Sequence, residues 1–171
     1  LWQRAIGRGV GWLALHLATT RRRAAEANID LCFPDEPPAW RRRLLRDSFD
    51  ALGIGLFEFA RAWWGGIAPM RRHVRIEGLE HLRALQEQGR GVLMVSGHFM
   101  TLEMCGRLLC DHVQLAGMYR RHRDPVMEWA VKRGRLRYAE AMFGNSDLRG
   151  AVRHLKRGGF LWYAPDQDMR G

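Results

Sequence analysis

Lysine is nearly absent from this chain. Lys132 and Lys156 are the only two among 28 basic residues, and all the others are arginine. Against them stand 18 acidic residues, for a net charge of +10. Arginine grips phosphate and carboxylate with a planar fork, so the balance points to an anionic partner: nucleic acid, an anionic lipid surface, a phosphorylated substrate or an acidic protein. Cysteine is scarce too. Cys32, Cys105 and Cys110 are odd in number and form no CxxC pair, which argues against a disulfide framework or a zinc site and suits a reducing compartment. Long apolar runs are missing. The stretch VGWLALHLAT (10–19) contains His16 and is too short to span a bilayer. It is the end of a spanning helix, an interfacial helix or a core helix. Internal repeats and low-complexity linkers are also lacking. What remains is ordinary for a folded domain: 171 residues, 47% of them hydrophobic, are enough to bury a core.

Two segments of helical character come first. Residues 1–27 contain no proline and carry Ile6, Val10, Leu13 and Leu17 at helical spacing. Arg21, Arg22 and Arg23 close that segment, as a contact for an anionic membrane or as a solvated helix end opposing its own dipole. CFPDEPP (32–38) reads as a loop, and a second helix is predicted from about Pro38 to Trp64. Beyond it the rhythm alternates. Strands are predicted over 73–78, 91–97, 113–119 and 141–144, and from 159 onward. Helices are predicted over 79–90, 100–110, 125–140 and 146–158, the last with Ser146 as N-cap. The run GVLMVSG (91–97) has the unbroken apolar character of a strand buried on both faces. The expected fold is therefore α/β, a largely parallel sheet covered by helices and preceded by two N-terminal helices. Its domains would be an N-terminal helical region over 1–70 and an α/β domain over 71–171.

In open parallel sheets, ligands bind beyond the carboxyl ends of the strands. Three predicted strands end in polar clusters: Ser96-Gly97-His98, Tyr119 through Asp124, and Pro165-Asp166-Gln167-Asp168. Parallel strands would bring all three to one rim. His98 and Glu103 stand five residues apart, which within one helix turns them about 140° away from each other. They can meet only if His98 lies in the turn before the helix and Glu103 in its first turns. Such a carboxylate would fix the imidazole tautomer and leave the other nitrogen as a base. The plainer reading is a capping histidine and a solvated glutamate. The other histidines (His16, His73, His81, His112, His122 and His154) show no metal spacing, and no metal or cofactor is expected.

The blocks NIDLCFPDEP (28–37), GRGVLMVSGHFMTLEM (89–104), MYRRHRDPVMEWAVKRGRLRYAE (118–140) and LKRGGFLWYAPDQD (155–168) follow one another in an order that resembles the late acyltransferases of lipid A biosynthesis. That family lies within the glycerolipid acyltransferase superfamily, marked by the HX4D/E motif, here HFMTLE from His98 to Glu103. The resemblance implies transfer of a fatty acyl group from an acyl carrier protein thioester to the hydroxyl of a 3-hydroxyacyl chain on a phosphorylated glycolipid. It would take place at the cytoplasmic face of the inner membrane. His98 would be the general base and Glu103 its orienting partner, with no covalent intermediate. Arg135, Asp166 and Arg120 would bind or position substrate. Many relatives carry Pro and Asn after the Tyr-Arg pair, where this chain has Arg121-His122-Arg123, so acceptor identity stays open between a lipid A precursor and another glycolipid or glycerolipid. Family members also extend further at both ends, so the chain reads as truncated, above all at its C-terminus. An anionic membrane surface is the third expected partner. A nucleic-acid-binding module is the competing reading of the charge; no recognised motif supports it, and no nucleic acid is expected.

Overall fold

The computed structural model describes residues 2–166. The chain divides into two compact units, Leu1–Ala60 and Arg61–Gly171.

The first unit holds α1 (Trp2–Leu17), α2 (Thr19–Cys32) and most of α3 (Pro38–Trp64). The single helix expected over 1–27 is broken at Ala18, whose φ of −86° and ψ of 63° leave the helical region. The apolar stripe that periodicity selects on α1 is largely the outward one: Ile6, Leu13 and Leu17 are exposed, together with Trp2 and Trp12. The inward face is Gly7, Gly11 and Leu15. A Cβ on Gly53 of α3 would lie 2.0 Å from the Gly7 carbonyl oxygen and 2.5 Å from the Gly11 nitrogen. The two helices therefore touch backbone to backbone, which only glycine permits. Leu15, Leu45 and Phe49 form the core beside this contact.

The second unit contains a four-stranded sheet of β1 (Val92–Val95), β2 (Leu115–Tyr119), β3 (Met142–Gly144) and β4 (Phe160–Tyr163), in the order β1-β4-β2-β3. Every pairing is parallel. α6 (Leu102–Leu109), α7 (Pro125–Arg135) and α8 (Leu148–Lys156) connect successive strands, after the short α4 (Ala68–Arg71) and α5 (Leu79–Glu87). One face of the sheet buries Val113, Leu115 and Phe160 with Leu82 and Leu85 of α5. The other buries Ala116 and Leu161 under Ala151 and Leu155 of α8. The alternating β/α order thus produces the expected parallel α/β fold.

Three local expectations are corrected. Residues 73–78 form no strand; Val74 is exposed, and Arg75 pairs with Glu77 in solvent. β1 is not buried on both faces: it lies at the sheet edge, and Leu93 and Val95 are 51% and 64% exposed. Leu115 and Phe160 are buried on one face and Ala116 and Leu161 on the other, so the doubly covered strands are the central β2 and β4. The N-cap of α8 is Asp147, which accepts from the Gly150 N–H at 3.0 Å, rather than Ser146.

The helix contact in the first unit gives a paired prediction. Gly53→Ala forces a methyl group into backbone atoms and should destabilise this unit by about 1–3 kcal/mol. Gly9→Ala, where nothing lies within 4 Å, should stabilise it by about 0.5–1 kcal/mol. Denaturant titration followed by circular dichroism separates the two, and equal effects would refute the close approach.

Candidate active site

β1 and β4 are hydrogen-bonded neighbours that run the same way, so the segments that follow them leave from the same end. Ser96 N–H still donates to the Tyr163 carbonyl at 3.1 Å. Just beyond, the Asp166 carboxylate holds His98 at two points. One oxygen lies 2.6 Å from imidazole Nδ1, and the other accepts from the His98 backbone N–H at 2.7 Å. A Cβ on Gly97 would come within 3.2 Å of that second oxygen, so glycine lets the loop close on the carboxylate. These two bonds hold the Asp166 carboxyl below the ordinary carboxylate range, the backbone donor first. An ionised carboxylate only accepts. In the neutral ring Nδ1 therefore carries the proton, and Nε2 presents a lone pair.

Glu103 belongs to a different cluster. It lies in the first turn of α6 and is 5% exposed. Its carboxylate accepts from Trp63 Nε1 at 2.7 Å, from Arg135 through Nε at 3.1 and 3.2 Å and through Nη2, and from the Tyr138 hydroxyl at 3.2 Å. Burial pushes this carboxyl up, but Arg135, Trp63 and Tyr138 more than reverse that and leave it below its ordinary value. Burial works against the Arg135 charge as well, and Glu103 restores it, for a net rise. The Tyr138 hydroxyl is pushed up by burial and by the adjacent Glu103 charge. A Cβ on Gly134 would sit 2.7 Å from the Trp63 ring, so that glycine lets the indole lie against α7.

The expected His98–Glu103 pairing is therefore corrected. α6 begins at Leu102, which turns Glu103 inward beside buried Met104, while His98 stays on the exposed rim. Strand order supplies Asp166 as the histidine's partner. Arg135 sits at the end of α7, mostly buried against Glu103. Arg120 follows β2 and is exposed. Glu128 shapes the loop after it, accepting from the Tyr119 hydroxyl at 2.6 Å and the His122 N–H at 3.0 Å. Gln167 and Asp168 lie outside the described residues. Sequence reading missed Trp63 and Tyr138. Tyr138, three positions after Arg135, had a spacing that could have revealed it; Trp63, 40 residues from Glu103, had none. Among the described residues, no group of three or more His, Cys, Asp or Glu side chains could hold a metal ion.

Between α6 and the sheet lies a largely apolar cavity of about 320 Å³. Ser96, Gly97 and Phe99, which flank His98, form part of its wall, and Glu103, Arg135 and Tyr138 form its polar side.

Removing the Glu103 charge should be costly. Glu103→Gln leaves the Arg135 guanidinium without its counter-ion and should destabilise the fold by about 3 kcal/mol near neutral pH. The sign of the pH effect follows from the lowered carboxyl. Its contribution is present above the ordinary value of 4.5 and is lost as pH falls through the lower folded value. Unfolding free energies measured across the acid range should fall for the parent chain and fall less for Glu103→Gln.

The sequence profile of the family described as bacterial lipid A biosynthesis acyltransferase matches residues 1–171. The chain is 38% identical over 163 residues to a lipid A biosynthesis palmitoleoyltransferase of Escherichia coli K12, covering 95% of this chain and 53% of that protein. It is 37% identical over 163 residues to the lauroyltransferase of the same organism, with the same coverage. It is also 37% identical over 167 residues to a lipid A biosynthesis acyltransferase of Haemophilus influenzae, covering 96% of this chain and 53% of that protein. The chain thus spans about half the length of the curated relatives it matches. A profile match along the whole chain, over a parallel α/β unit with a histidine–carboxylate pair on its rim, identifies this chain as belonging to the bacterial lipid A biosynthesis acyltransferase family.

Proposed function

We propose that the protein transfers a fatty acyl group from an acyl carrier protein thioester to the hydroxyl of a 3-hydroxyacyl chain on a lipid A precursor. The observation that carries this reading is the His98 imidazole, tied through Nδ1 to Asp166 beside an apolar cavity. Nε2 accepts the proton of the acceptor hydroxyl as its oxygen attacks the thioester carbonyl carbon. The tetrahedral oxyanion collapses, the carbon–sulfur bond breaks, and the departing thiolate takes the proton from the imidazolium. Asp166 stabilises that cation. A thiolate leaves readily, so no covalent enzyme intermediate is required. Glu103 does not touch the base in this scheme; it anchors Arg135, α6 and the end of α3 in one arrangement.

The relatives' names include palmitoleoyl, lauroyl and myristoyl transfer, and the rim chemistry proposed here is the same for each. Arg120 and Arg135 are the proposed contacts for substrate phosphate or the developing oxyanion, since guanidinium groups suit both. The N-terminal region, residues 1–70 by the sequence division, is the proposed contact with an anionic bilayer at the cytoplasmic face of the inner membrane. Exposed Trp2, Trp12, Leu13 and Leu17 on α1 support it, as do Arg21–Arg23 on α2. No described helix is long and apolar enough to cross a membrane. Residues 71–171 would carry the chemistry.

His98→Ala should lower kcat by about 10²–10⁴-fold with circular dichroism unchanged. Asp166→Asn should lower kcat with KM for both substrates largely kept, because it removes the support of the imidazolium and not a substrate contact. Full turnover by His98→Ala, with transfer measured from radiolabelled acyl carrier protein to a phosphorylated glycolipid, would overturn the base assignment.

A further inference from the structure

The cavity beside His98 is walled by one face of α6, where Leu102, Cys105, Gly106 and Leu109 recur at helical spacing. Gly117 of β2 and Met142 of β3 also line it. On its polar side the Glu103 carboxylate is already taken up by Arg135 and Tyr138, and the rest of the wall is largely apolar. The occupant that fits is a hydrocarbon.

Two glycines in this wall have no backbone reason to be glycine. Gly106 stands inside α6 and Gly117 inside β2, and neither has a positive φ. Glycine in the interior of either element is unfavourable relative to alanine. A Cβ at Gly106 would meet nothing within 4 Å. A Cβ at Gly117 would meet only the Met142 side chain, its Cε and Sδ each at 3.1 Å. That thioether is the flexible end of an adaptable residue. No packing neighbour explains Gly106, and only a movable one touches Gly117. What both spare is the volume of the cavity.

We infer that Gly106 and Gly117 are specificity-determining positions that keep the cavity open for the donor's fatty acyl chain, and that Met142 sets how deep the chain reaches. This rests on the acyl-transfer reading above. With Ser96, Gly97 and Phe99 in the same wall, a chain seated there has its carbonyl end near the His98 loop.

The test uses the full chain with an even-numbered series of saturated acyl carrier protein thioesters offered in competition. Gly106→Leu should shift the preferred donor to shorter chains, with a loss of about 10-fold or more for the parent's preferred length. Met142→Ala should shift it to longer ones. Gly106→Ala should raise the unfolding temperature while narrowing the accepted lengths. A second arm reads binding directly. Cys105 and Cys110 both line the cavity, and burial pushes the Cys110 thiol up to about 11, which slows its reaction near neutral pH. In a Cys32→Ser background, a non-transferable acyl-pantetheine thioether should protect Cys105 from maleimide, and Gly106→Leu should abolish that protection. Transfer that continues with an unchanged length profile in both Gly106→Leu and Met142→Ala would overturn the inference and leave the acyl-transfer reading standing. Failure of the parent chain to acylate a phosphorylated glycolipid would overturn that reading, while Cys105 protection would still decide what the cavity holds.

Discussion

A carboxylate almost wholly removed from water has to be met by donors, and Glu103 is met on every side. Trp63, Arg135 and Tyr138 converge on it from the end of α3, the end of α7 and the turn beyond. An ion pair of this kind adds little net stability compared with an apolar substitute, yet breaking it strands a charge. Its consequence is positional. It fixes the first turn of α6, and therefore the loop that enters that helix with His98, and it sets the polar side of the cavity. Gly134 completes the arrangement by letting the Trp63 ring press against α7.

The rim depends on a second constraint, strand order. Because β4 lies between β1 and β2, the segment after β4 arrives beside the loop after β1, and Asp166 reaches both the ring and the backbone of His98. Two carboxylates thus divide the work that one was expected to do. The buried one organises the scaffold, and the exposed one steadies the imidazole. In the proposed reaction this separation keeps the base on the open rim, where a bulky amphiphile can approach it, while the hydrocarbon of the donor lies in the apolar cavity behind.

Much of this was legible in the sequence. The switch to alternating apolar runs and helical periods after Gly65 gave the parallel sheet. Carboxyl-end logic puts His98, Tyr119–Arg120 and Asp166 at one rim. What it missed has physical reasons. Partner choice among His98, Glu103, Arg135 and Asp166 is set by strand order and by which way the first turn of α6 faces, and spacing encodes neither. The inward face of α1 is Gly7, Gly11 and a single large apolar residue, Leu15, so apolar periodicity marks instead the face that points to solvent. β1 has the apolar composition of a central strand but lies at an edge, a property of its neighbours rather than of its residues. Residues 73–78 alternate, yet no strand pairs with them among the described residues, and alternation alone cannot supply one.

The central claim is that Asp166, and not Glu103, holds the His98 imidazole. Nitrogen and proton NMR of the histidine rings tests it most directly. A hydrogen-bonded Nδ1–H resonance assigned to His98 should be present in the parent chain, survive in Trp63→Phe, which removes a donor to Glu103, and vanish or move far upfield in Asp166→Asn. A His98 Nδ1–H signal unchanged by Asp166→Asn would contradict the account.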